Sequence, residues 1–165
     1  MHIETDIKRL EALAQQREEA NWKFRSFLKG SDIPVGRIDR VVHELYREVA
    51  GQLDCTKCAN CCKVMSPILT PADIKRLASR LQMPAAEFQS RYLEKEEDGE
   101  DLVFKTMPCP FLKENACTVY DDRPRDFRSY PHLHKRDFVF RMYQAVSNCS
   151  ICPIVFTVYE HLKRE

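Results

Sequence analysis

Glycine is scarce in this chain, with four in 165 residues. Neither G-x-x-x-x-G-K-[ST] nor G-x-G-x-x-G can be read in it, so no glycine-rich loop is available to cradle a phosphate or a dinucleotide. Neither charge is in excess: 26 Lys and Arg against 25 Asp and Glu give a formal net charge of +1. That balance gives no reason to expect bulk attraction to nucleic acid or to an anionic membrane surface. Long apolar runs are also missing. Ile151 to Tyr159, the greasiest segment, is interrupted and falls well short of the roughly 18–20 apolar residues of a membrane helix. M-H-I-E-T-D-I-K-R-L at the amino terminus has no unbroken apolar stretch, so no signal peptide is expected and the cytosol is the expected compartment. Disorder is excluded by 44% hydrophobic and 31% charged residues, and the length suits one ordinary core.

Against these absences stand eight cysteines. Four are packed into C-T-K-C-A-N-C-C: Cys55, Cys58, Cys61 and Cys62. Cys109 and Cys117 follow singly, and Cys149 and Cys152 form a second x2 pair in C-S-I-C. In a reducing compartment such thiols seldom persist as disulfides, and metal binding is the better use of them. Two residues between thiols fold into a tight turn that can close on one ion. Adjacent side chains tend to diverge, so Cys61 and Cys62 suit two neighbouring ions, two corners of a cluster, or one ligand beside one packing residue. Eight thiols could fill two four-cysteine zinc sites or ligate iron–sulfur clusters. The first three match the start of the ferredoxin run C-x2-C-x2-C-x3-C, but its fourth place is Met65. Zinc and iron both stay open.

Hydrophobic spacing predicts a mostly α fold. Ile3, Ile7, Leu10, Ala14, Phe24 and Leu28 mark a long helix whose stripe Arg17 and Asn21 interrupt, with Gly30 as a left-handed cap. Ile38, Val42, Leu45 and Val49 mark a second, from about Pro34 to Ala50. The two form an amino-terminal helical hairpin over residues 1–52, a packing element or a docking arm for a protein partner, with Trp22, Phe24 and Phe27 as its aromatic side chains. Residues 53–165 form a single irregular metal-centred domain, compact with the hairpin. Thr70-Pro71-Ala72-Asp73 is a capping box at a helix start, and Met83-Pro84 opens another helix. A short strand is expected from Leu102 to Thr106, and a small β-hairpin holds Cys109 near Cys117 across K-E-N-A. Pro124 starts a short helix, Phe138 to Val146 reads as a strand on its β-branched and aromatic content, and Pro153 begins a last helix.

C-T-K-C-A-N-C-C, with C-P-F-L, C-T-V-Y-D-D-R-P and F-R-S-Y-P-H further on, resembles the CxxCxxCC cysteine-cluster family, described as a zinc- or iron-chelating domain. The resemblance runs from about Cys55 to Pro153 and implies that Cys55, Cys58, Cys61, Cys62, Cys109 and Cys117 belong to a metal centre. Where that family usually has a cysteine after R-P-x-x, this chain has Phe127. Either the site has one ligand fewer, or Cys149 and Cys152 complete it, or Asp126 or a histidine steps in. His132 and His134 lie just beyond, in a region made basic by Arg123, Arg125, Arg128, Lys135 and Arg136.

The expected function is therefore chelation of zinc or iron, as an iron–sulfur cluster or otherwise, in a structural, metal-handling or electron-transfer role. The other reading is an iron–sulfur oxidoreductase or a protein-modifying enzyme, since relatives of the family occur as part of flagellin lysine methylases.

Overall fold

The computed structural model describes residues 2–165, and these divide into two compact units. The chain up to Asp54 joins Pro131–Glu165 in the first; Cys55–Tyr130 make the second. The expected boundary at 52/53 thus lies beside the observed change of unit, while the segment from Pro131 onward groups with the amino-terminal helices. No described helix is long and apolar enough to cross a membrane.

In chain order, α1 (Ile7–Gly30) and α2 (Val35–Ala50) open the first unit. Helix α1 starts later than the apolar stripe suggests, because Asp6 is its N-cap and accepts from the Arg9 N–H at 3.1 Å. Gly30 does not take the left-handed conformation expected of it. Ser31 closes the helix instead, donating its Oγ to the Leu28 carbonyl at 2.9 Å. The second unit follows with α3 (Cys55–Cys58), α4 (Asn60–Val64), α5 (Pro71–Arg80) and α6 (Ala85–Tyr92). Then come the antiparallel hairpins β1 (Leu93–Lys95) with β2 (Leu102–Phe104) and β3 (Leu112–Lys113) with β4 (Ala116–Cys117), and finally α7 (Arg125–Ser129). The first unit resumes with a 3-10 turn at Phe138–Arg141, α8 (Met142–Asn148) and α9 (Pro153–Leu162). The fold is mostly α with small β-hairpins.

Helix α9 supplies the centre of the first core: every residue from Pro153 to Tyr159 is buried. It packs against α2, whose Ile38, Val42, Leu45 and Val49 are buried as their spacing predicts. Fully buried side chains of this size contribute about 1.5–3 kcal/mol each, enough to hold the amino-terminal hairpin in a helical bundle. Asn21 breaks the apolar stripe without cost. Its carbonyl accepts from the Tyr159 hydroxyl at 3.0 Å and its Oδ1 from Lys163 Nζ at 2.8 Å. Trp22 and Phe24 are covered by Tyr143 and Tyr159, with ring centroids 5.3 and 5.7 Å apart, whereas Phe27 is 61% exposed.

A strand expectation is also corrected. Phe138 to Val146 is not a strand but a 3-10 turn running into α8. Phe138, Met142, Ala145 and Val146 are buried at intervals of three and four, and that period outweighs the residues' intrinsic β preference. Asp39 caps the turn by accepting the N–H groups of Asp137 and Phe138 at 2.8 and 2.9 Å.

The second core gathers Leu69, Ile74, Leu77, Phe88, Phe104 and Phe111, and it includes Cys109. Cys62 and Cys117 are packed against it. The cysteine region is continuous with the hydrophobic core of this unit.

Candidate metal centre

Three segments carry the thiols of the second unit, and backbone bonds hold them in register. C-T-K-C makes the single turn α3, and C-C lies in α4. Between them Ala59 is left-handed, with φ 51. That conformation costs an L-residue about 1–2 kcal/mol and turns the chain sharply between the two short helices. The Cys109 N–H donates to the Cys62 carbonyl at 2.9 Å, tying the second segment to the first. Glu114 and Asn115, both with positive φ, form the two-residue turn that pairs β3 with β4 and sets Cys117 opposite Leu112.

As a result Cys55, Cys61, Cys62, Cys109 and Cys117 line one cavity of about 190 Å³. Adjacent Cys61 and Cys62 face it together, because consecutive residues of a helix are turned by about 100°, not by the 180° of a strand. Cys58 is half-buried and does not line the cavity; its carbonyl accepts from Lys63 Nζ at 3.4 Å. Among the described residues lining the cavity there is no carboxylate and no imidazole.

The thiols differ in acidity. A hydrogen bond from Cys61 outweighs burial and, with the charges of Arg123 and Lys63, brings the Cys62 thiol from its ordinary 9.0 down to about 7. Burial pushes Cys109 up to about 11, opposed by the Phe111 and Leu112 amides and reinforced by the nearby Cys62 and Cys117 sulfurs. Cys117 is raised chiefly by burial, with the Val119 amide and Arg123 opposing. Cys62, Cys109 and Cys117 are thus within electrostatic reach of one another.

Arg123 is held firmly beside them. Its guanidinium lies 3.8 Å over the Tyr120 ring and donates from Nη1 to the Tyr120 carbonyl at 2.7 Å. Its own carbonyl accepts from Arg76 Nη2 and Arg128 Nε, each at 3.0 Å. Asp73, the capping-box residue, reaches further than its motif foretells. One carboxylate oxygen accepts from the Thr70 N–H and hydroxyl, while the other accepts from Arg76 Nη2 at 2.5 Å and the Arg125 N–H at 2.9 Å. Burial opposes its ionisation, but bonds from Thr70, Arg125 and Arg76 prevail and hold its carboxyl below the usual range. The start of α5 thereby braces the start of α7, which carries Phe127.

Phe127 lines the same cavity as the five thiols, 6.2 Å centroid-to-centroid from Tyr130. Cys149 and Cys152 lie elsewhere, buried in the first unit, where Cys149 donates its Sγ–H to the Ala145 carbonyl at 3.3 Å. His132 and His134 also belong to the first unit. Burial, then the charges of Lys135, His132, His43 and Arg141, lowers the pKa of His134 and favours its neutral form. Asp126 does not line the cavity. Thr56, Asn115 and Tyr130 do; each falls inside a quoted motif that does not mark it as a site residue, because its place on the cavity follows from the turn at Ala59, the β3–β4 hairpin and the anchored α7.

The donor set fits zinc or iron in type: clustered soft thiols, no carboxylate in the described lining, and a neighbouring arginine to offset thiolate charge. Among the described residues no three His, Cys, Asp or Glu side chains stand close enough together to hold one ion, so binding would draw the thiols inward.

The chain belongs to the CxxCxxCC family, whose model, described as "Putative zinc- or iron-chelating domain", matches residues 54–153. No curated protein and no solved structure matches the chain.

Proposed function

We propose that the chain chelates zinc or iron through Cys55, Cys58, Cys61, Cys62, Cys109 and Cys117. The observation that carries this reading is the convergence of thiols from three chain segments on one cavity with no carboxylate or imidazole in its described lining. Cys149 and Cys152, buried among helices, are left out of the proposed ligand set.

A structural role comes first. The thiols lie on helices of four and five residues and beside a hairpin of two-residue strands. Elements this short are marginal alone, so a cross-link through a cation would supply what local structure cannot. When bound, zinc would supply a closed thiolate cross-link, and an iron–sulfur cluster would add electron transfer. Arg123 would balance part of the thiolate charge that remains. On α1, exposed Phe27 is the residue we propose for contact with a protein partner.

Elemental analysis of the anaerobically purified chain tests the proposal. Stoichiometric zinc in colourless protein, or iron in brown protein with visible charge-transfer absorption, is expected. Cys62→Ser should lower the bound metal. Folded, reduced protein that takes up neither metal would reject chelation altogether.

A further inference from the structure

The first unit carries an aromatic surface that its core does not absorb. Phe140 is 70% exposed and Tyr143 62%, and they stand about one turn apart where the 3-10 segment runs into α8. The Tyr143 ring leans on Trp22 of α1, and the Arg25 guanidinium lies over Trp22, 5.7 Å from its centroid.

Cations bracket these rings. Just before Phe140 the chain exposes Lys135 and Arg136; Arg25 stands at the other end. The loop that presents Lys135 and Arg136 is held from below. Arg141 donates to the carbonyls of His132, Lys135 and Arg136 at 2.9, 2.7 and 3.0 Å, and His43 Nε2 lies 3.2 Å from the Lys135 carbonyl. These bonds satisfy the loop's acceptors while the Lys135 and Arg136 side chains stay in solvent. Carboxylates are close as well: Glu18 accepts from Trp22 Nε1 at 3.5 Å, and Asp137 is exposed beside Arg136. With a formal net charge of +1, the molecule exerts no long-range pull on an anion, so rings and cations must act together at short range.

We propose that this surface binds single-stranded nucleic acid, with bases stacked on Phe140 and Tyr143 and backbone phosphates beside Lys135, Arg136 and Arg25. A single strand offers a flat π face and an anion at every nucleotide, which suits rings bracketed by cations and is tolerant of base identity. A duplex hides the faces of its bases, and an acidic peptide brings charge without a matching π face. A bilayer would need apolar side chains to insert, but the neighbouring Leu133, Val139 and Met142 are buried in the protein. None of the residues involved belongs to the proposed metal ligands.

Fluorescence anisotropy of the full chain with a labelled oligothymidylate of ~12 nucleotides tests the proposal. Binding should saturate, and log affinity should fall with log salt by about 0.7 for each phosphate neutralised. Phe140→Leu and Tyr143→Leu should each weaken binding about tenfold, because they keep an apolar side chain but lose the stacking face. Phe140→Tyr and Tyr143→Phe should bind as the native chain does. All four changes lie at exposed positions, so circular dichroism should be unaltered. Lys135→Gln combined with Arg136→Gln should weaken binding and flatten the salt slope, whereas Lys75→Gln on α5 should change neither. Absence of binding at low salt, native affinity in both leucine variants, or equal affinity for the matching duplex would overturn the proposal. Tighter binding of a polyglutamate peptide or of phosphatidylserine vesicles than of the oligonucleotide would overturn it too, in favour of that partner.

Discussion

C-x2-C occurs twice in this chain, and the two copies have opposite surroundings. Cys55 and Cys58 bound a single helical turn, one exposed and one half-buried, next to a cavity with other thiols on it. Cys149 and Cys152 span the junction of α8 and α9, where both are buried. The Cys152 N–H donates to the Asn148 carbonyl at 2.9 Å, and the Cys149 thiol is satisfied by a helix carbonyl. Burial pushes Cys149 up to about 12, so it stays a thiol at any ordinary pH. An x2 spacing therefore specifies a turn between two sulfurs. Whether that turn opens on a cavity or closes into a core is decided by what packs around it.

The largest expected effect that would sharpen this contrast is that of metal removal. Binding free energy at structural thiolate sites is on the order of 10 kcal/mol and is folding free energy. A strong chelator should sharply reduce amide protection over Cys55–Tyr130 while protection in α2 and α9 persists, as read by hydrogen exchange. Equal loss in both units would erase the difference between them.

Asp73→Ala should cost about 3 kcal/mol, because a buried cap and two further charge-assisted bonds vanish together. The native carboxyl titrates below its ordinary 3.8, so its stabilisation is fully present above that value and disappears as pH falls through the lower, folded pKa. Urea unfolding at neutral pH should show the full penalty and strong acid almost none. A pH-independent difference would mean that the charge is not what braces α7.

Metal affinity itself should rise with pH. Cys109, at about 11, remains protonated in the metal-free protein near neutrality and must give up that proton on binding. Each pH unit above 7 should tighten binding about tenfold per displaced proton, close to 1.4 kcal/mol. Below 7 the slope should steepen, since Cys62 titrates at about 7. Competition against a chromophoric chelator measures this, and a flat profile would remove Cys109 from the ligands. Smallest of all, Cys149→Ser should leave metal content unchanged and cost about 1 kcal/mol of stability in the first unit. A fall in metal content would return Cys149 to the centre.

Much of the local structure was legible in the residues. Thr70 and Asp73 form the capping box that their motif predicts, Ile38 to Val49 bury the predicted face, and the Glu114-Asn115 turn brings Cys117 back toward Cys109. Errors arose where local preference met tertiary packing. Phe138 to Val146 became helical because its buried residues had to share one side, and Gly30 remained helical because Ser31 could satisfy the Leu28 carbonyl in the last turn. Strand β1 went unread for a similar reason: Leu93–Lys95 is too short to signal and exists through pairing with β2.

The amino-acid sequence alone determined the donor chemistry and the class of fold: soft, clustered thiols spaced for tight turns in a mostly helical chain. Those are properties of residue type and short-range spacing, which survive without a fold. Tertiary structure decided which thiols share a cavity. It placed Cys61 and Cys62 on one cavity, brought Cys109 and Cys117 beside them, set Phe127 on the same wall, and buried Cys149 and Cys152 among helices. Such choices depend on contacts between residues far apart in the chain, where burial and backbone pairing, not spacing, fix which sulfurs lie together.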